Sequence, residues 1–122
     1  MTKRSKLKDP PSEGAHEHSE AEREFAQIVD AFEGDQAVQY GGGKGFGSSA
    51  LKVDGKIFAM ISSRGQFVAK LPLERVDELV RSGIGNHFDP GRGKLMKEWV
   101  ALNGGYSWWI KLAKEARQFA GR

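Results

Sequence analysis

Arg92, Lys94 and Lys97 fall within six residues, among glycines that let a backbone approach closely, and Trp99 follows two residues beyond Lys97. Side chains alternate along a strand, so Lys97 and Trp99 share a face if this stretch is extended. Arg64 sits in a Ser-Arg-Gly turn, and Lys52 and Lys56 flank the Asp54-Gly55 turn. Basic groups on hairpin tips and strands beside an aromatic ring suit a phosphate backbone, bound through salt-sensitive contacts. These six residues, Lys52, Lys56, Arg64, Arg92, Lys94 and Lys97, are the candidate nucleic-acid contacts. Trp108 is the candidate anchor for a protein partner. The plainer alternative for the basic set is ordinary surface charge.

Other chemistry is thin. His87 has Asp89 two residues away to orient it, with Ser62 and Ser63 as the only hydroxyl partners to consider. A catalytic histidine needs a substrate or nucleophile on one nitrogen and an orienting group on the other, so a turn hydrogen bond is the simpler role. His16 and His18 flank Glu17 without a third fixed ligand, so no metal site is expected. Gly41-Gly42-Gly43-Lys44-Gly45-Phe46-Gly47 invites a phosphate-loop reading. Yet Lys44 is followed by Gly45, and a strand follows where a phosphate loop needs a helix N-terminus. A connection into a strand is the plainer account, and no cofactor is expected. The chain is expected not to be an enzyme.

With 122 residues, the chain holds one domain. It has no cysteine, which excludes a disulfide, a thiol nucleophile and a cysteine zinc site. Neither an apolar run of membrane-spanning length nor a hydrophobic leader is visible, so a cytoplasmic protein is expected. The net charge of +3 is unevenly spread. Residues 1–35 hold 5 basic and 9 acidic side chains, and residues 36–122 hold 14 basic and 7 acidic.

The elements that must position the basic set follow from periodicity. Residues 1–18 are polar and proline-bearing and are expected as a disordered tail. The domain then covers 19–122. Ser19-Glu20-Ala21-Glu22 reads as a capping box, followed by Phe25, Ile28, Val29 and Phe32 on one helical face. Ala50–Val53, Lys56–Ser62 and Gln66–Leu71 read as a meander of three strands, with Asp54-Gly55 as a type I′ turn. In the middle strand, alternation puts Ile57, Ala59 and Ile61 on one face and Phe58 and Met60 on the other. A helix is expected at Leu73–Ser82, a turn-rich loop over 83–94, a strand at Leu95–Leu102 and a helix at Ser107–Ala120. Trp109, Leu112, Ala116 and Phe119 are its core stripe. An extra strand near Ala37–Tyr40 stays open. The fold class is α+β, an antiparallel sheet packed with about three helices.

The run Phe46-Gly47-Ser48-Ser49-Ala50-Leu51-Lys52-Val53-Asp54-Gly55-Lys56-Ile57-Phe58-Ala59-Met60 resembles the hallmark of TfoX N-terminal-domain proteins and the MmcQ/YjbR-like group. Phe88-Asp89-Pro90-Gly91 and Met96-Lys97-Glu98-Trp99-Val100 resemble segments of uncharacterised members. The resemblance spans about residues 20–120. It implies a small double-wing α+β domain with a DNA-binding or regulatory role, and no catalytic residues. TfoX proteins carry a second C-terminal domain that is not seen here, so their competence role is not expected. Two functional readings stay open: a nucleic-acid-binding module using the basic face, and a protein-interaction module without nucleic-acid affinity. A small-ligand site or enzyme around His87 is the third.

Overall fold

The structure is a computed structural model and describes residues 13–41, 50–91, 93 and 95–121. Its elements run α1 (Glu13–Ala31), β1 (Val38–Gly41), β2 (Ala50–Val53), β3 (Lys56–Ile61), β4 (Phe67–Lys70), α2 (Leu73–Arg81), β5 (Asn86–Phe88), β6 (Met96–Leu102) and α3 (Tyr106–Ala120). The six strands form one antiparallel sheet in the order β1-β2-β3-β4-β6-β5. The fold class read from the sequence is therefore the one observed.

α1 corrects two expectations. It begins at Glu13, so residues 13–18 are helical where a tail was expected, and Ser19 lies inside the helix rather than capping it. Residues 1–12 and the glycine loop over 42–49 lie outside the described residues. β1 settles the open question near Ala37–Tyr40 as an edge strand. β5 replaces part of the expected loop over 83–94. Three residues are too few to show a strand period in sequence, and pairing with the longer β6 holds them.

The Asp54-Gly55 turn is built as expected: both residues have positive φ, 55° and 77°, as a type I′ turn requires. The alternation expected for β3 does not hold. Lys52 pairs with Ile57 but Leu51 pairs with Ala59, so Phe58 is an extra, bulged residue. The bulge turns Phe58 to the same side as Ala59 and Ile61, and sends Ile57 to the side of Met60.

All three helices pack on one face of the sheet. Phe25, Ile28 and Phe32 of α1, Val76 and Leu79 of α2, and Trp109, Leu112 and Ala116 of α3 meet Phe58, Phe67, Ala69, Val100 and Leu102 of the strands. Phe67 is central. Its ring stacks on Trp109 at 5.0 Å and meets Phe25 at 6.4 Å. The Trp109 indole N–H donates to the Gly104 carbonyl at 2.8 Å, so its one polar atom is satisfied in the core. Two arginine clasps bind the layer. Arg75 makes a two-pronged contact with Glu115 at 2.9 and 3.0 Å, joining α2 to α3. Arg117 donates to Asp35 at 2.8 Å, joining the end of α3 to the chain just after α1. The helices bury the apolar stripes expected of α1 and α3, with two ends left open. Leu73 is exposed, and Phe119 is only half-buried at the far end of α3.

Gly85 enters β5 with its Cα pressed against β6. A Cβ there would meet Val100 Cγ2 at 2.7 Å and the Ala101 carbonyl oxygen at 3.1 Å. Gly85→Ala should lower stability by about 1–3 kcal/mol through overpacking, read as a lower urea midpoint at unchanged slope. The Arg117 guanidinium, by its hydrogen bond first, holds the Asp35 carboxyl below the usual carboxylate range. That stabilisation is present above the ordinary carboxylate pKa and is lost as pH falls through the lowered folded value. Arg117→Gln should return Asp35 toward its ordinary titration by carbon-detected NMR. Its stability deficit should be present at neutral pH and absent in acid that protonates Asp35 in the folded wild type.

Candidate functional site

Lys52 and Lys70 stand on the face of the sheet opposite the helices. Along β6 the inward residues Val100 and Leu102 belong to the helix-side core, and Trp99 and Ala101 belong to the other face. Trp99 pairs with Lys70 of β4 across the ladder, and the Lys70 ammonium lies 5.7 Å from the indole centroid, over its ring. Lys52 pairs with Ile57, which packs with Met60 on this same face.

Beneath these groups is a cleft of about 590 Å³. Ile57, Met60, Phe88, Pro90, Met96 and Trp99, with Phe119 and Ala120 from the end of α3, give it apolar walls, and Lys56, Lys70 and Glu98 stand on its rim. Lys97 borders the adjoining depression with Lys70, Pro90 and Leu95. Leu95 and Met96, two of the four exposed large hydrophobic residues among those described, lie beside it at 53% and 38% exposure. The β3 bulge builds the floor, because without it Ile57 and Met60 could not lie together.

Four of the six basic candidates are described. Lys56 and Lys97 lie at the cleft and its margin, and Lys52 lies on the same face. Arg64 does not join them. Its turn is at the opposite end of β3 from Asp54-Gly55, about 20 Å away at roughly 3.3 Å per residue. Its guanidinium donates to the Asp89 carbonyl, tying the β3–β4 turn to the segment after β5. Asp89 shapes that segment further, its Oδ1 accepting from the Gly91 amide at 2.8 Å. Arg64 thus has a structural task. Arg92 and Lys94 lie outside the described residues.

Lys70 was missed in the sequence reading. The signal was there: Phe67 and Ala69 point to the core, so Lys70 must share the outward face with Val68. Its partner Trp99 depends on the β4–β6 pairing, which no local pattern reveals.

The remaining candidates have structural surroundings. Trp108 is half-buried against the helix-side core, with Lys111 Nζ 5.2 Å from its ring centroid. It therefore lies on the other side of the sheet from Trp99. His87 Nε2 is 3.3 Å from Asp77 Oδ1, bridging β5 to α2. The Ser62 hydroxyl accepts from the Arg64 and Gln66 amides, at 3.2 Å each, and so closes the turn. Among the described residues, no three His, Asp or Glu side chains gather to hold a metal ion. No described helix is long and apolar enough to cross a membrane.

Comparison of the chain with protein-family models, with curated proteins and with solved structures gives no match in any of the three.

Arg64→Ala should loosen the segment after β5 without touching the helix layer. Loss of a hydrogen bond of about 1 kcal/mol corresponds to roughly fivefold faster amide exchange at Gly91 and its neighbours. Protection of α3 amides should stay unchanged in the same experiment.

Proposed function

We propose that this chain is a non-enzymatic nucleic-acid-binding module of the TfoX N-terminal-domain or MmcQ/YjbR-like kind, acting in the cytoplasm. What carries the reading is the set of lysines around the cleft: Lys56 and Lys70 line it, and Lys97 borders the adjoining depression. The six strands hold four lysines, Lys52, Lys56, Lys70 and Lys97, against one acidic residue, Glu98.

The double-wing description is part of the same reading. The β2–β3 and β3–β4 hairpins are its wings, and their turns lie at opposite ends of the sheet. The lysines are spread over four strands, Lys52 on β2, Lys56 on β3, Lys70 on β4 and Lys97 on β6. Phosphates would pair with Lys56, Lys70 and Lys97 as mobile point charges, giving affinity without base selection.

Fluorescence anisotropy of labelled duplex and single-stranded oligonucleotides tests this with the full chain. Binding should weaken linearly with log salt, at a slope of about −0.9 per phosphate engaged on duplex and about −0.7 on a single strand. Lys70→Ala and Lys97→Ala should each weaken binding and make the slope shallower by about one phosphate's share. Absence of binding to both forms near 50 mM salt, where such contacts are strong, overturns the reading in favour of a protein-interaction module.

A further inference from the structure

We infer that the cleft beneath Lys70 receives an unpaired base, so that single-stranded rather than duplex nucleic acid is the preferred partner. This rests on the nucleic-acid reading and adds to it what the apolar part of the site is for. Phosphate contacts alone need only exposed cations. Here the lysines frame a concave apolar surface that contributes nothing to phosphate binding.

The surface has the chemistry of a base platform. Trp99 is only partly buried, and the cleft around it is walled by Ile57, Met60, Phe88, Pro90 and Met96, with Phe119 and Ala120 from the end of α3. Flat, polarisable base faces stack on such rings. A duplex offers its base edges and backbone, while its base faces are already stacked on one another, so the cleft finds no complement there. The volume of about 590 Å³ lies within the roughly 300–1,000 Å³ of ligand-holding clefts and admits a base with its sugar.

The rim fits the rest of a nucleotide. Lys70 already lies over the Trp99 ring and can transfer its ammonium to a phosphate beside a stacked base. Lys56 and Lys97 line the cleft and the adjoining depression, offering cations to neighbouring phosphates of one extended strand. Glu98 is the one carboxylate on the rim. It repels phosphate from its side and can accept from an exocyclic amino group. The exposed Leu95 and Met96 continue the apolar surface past the cleft, as a second base would require.

Three probes of about 12 nucleotides, within the roughly 4–16 that one small binding surface covers, separate the contributions. They are a single strand of mixed sequence, the same strand with abasic sugars, and its duplex. The intact single strand should bind about tenfold tighter than the abasic strand, the scale of one stacked base. Trp99→Leu keeps an apolar side chain but removes the ring. It should reduce single-strand affinity about tenfold and leave abasic-strand and duplex affinity unchanged, while Trp99→Phe retains most of the preference. Equal binding of the intact and abasic strands, with Trp99→Leu indistinguishable from wild type, overturns the inference and leaves the nucleic-acid reading standing. Failure of all three probes to bind at low salt overturns both. Unchanged thermal unfolding of Trp99→Phe, with its affinity retained, separates loss of the ring from loss of the fold.

Discussion

One extra residue in β3 decides how the two sides of the sheet are furnished. Phe58 has no partner of its own in β2, and the strand alternation shifts there by one position. Phe58, Ala59 and Ile61 thereby serve the helix-side core, while Ile57 and Met60 serve the opposite face. A regular strand would set Ile57 against the helices and Phe58 on the open side. The edge-on contact of Phe58 with Phe32 would be lost, and the cleft would have a different floor. Core and candidate site are thus two products of the same local irregularity.

The one-sided helix layer sets the second condition. Three helices cover a single face, so the other face is covered by its own side chains and by the chain that follows β5, with the end of α3 reaching the cleft through Phe119 and Ala120. Phe88, Met60, Val68 and Ala101 form a small second core there. Pro90 and Met96 lie beside it at the cleft, and Arg64 holds Asp89 in place from the far end of the sheet. Such a small core leaves Trp99 and Ile57 only partly covered. The partial covering gives the face both an apolar surface and access to solvent, and the lysines keep that surface wet at its margins.

Much of this was legible in the residues. The Asp54-Gly55 turn, the helical stripes and the strand-rich middle each rest on short-range rules, and they appear where those rules put them. The bulge at Phe58 was not legible, because a run of apolar residues on both faces conceals a shift in alternation. β5 was too short to show a period. Lys70 could be placed outward from Phe67 and Ala69, but its position over Trp99 depends on β4 pairing with β6 across α2 and β5. Arg64 illustrates the opposite failure. A basic residue at a turn looks available in sequence, and the tertiary fold gives it a carbonyl to hold.

The order of strands also bears on how the chain comes together. β1 through β4 join as successive hairpins, each closing a short loop at small entropic cost. β5 and β6 are also near neighbours, and α2 packs on both. By contrast, the seam between α1 and α3 joins distant parts of the chain: the Arg117–Asp35 clasp closes a separation of 82 residues. Local contacts form fast and distant ones late. The seam between α1 and α3 therefore carries the largest loop-closure cost of these contacts, a cost that the packing of both helices on one sheet face must offset.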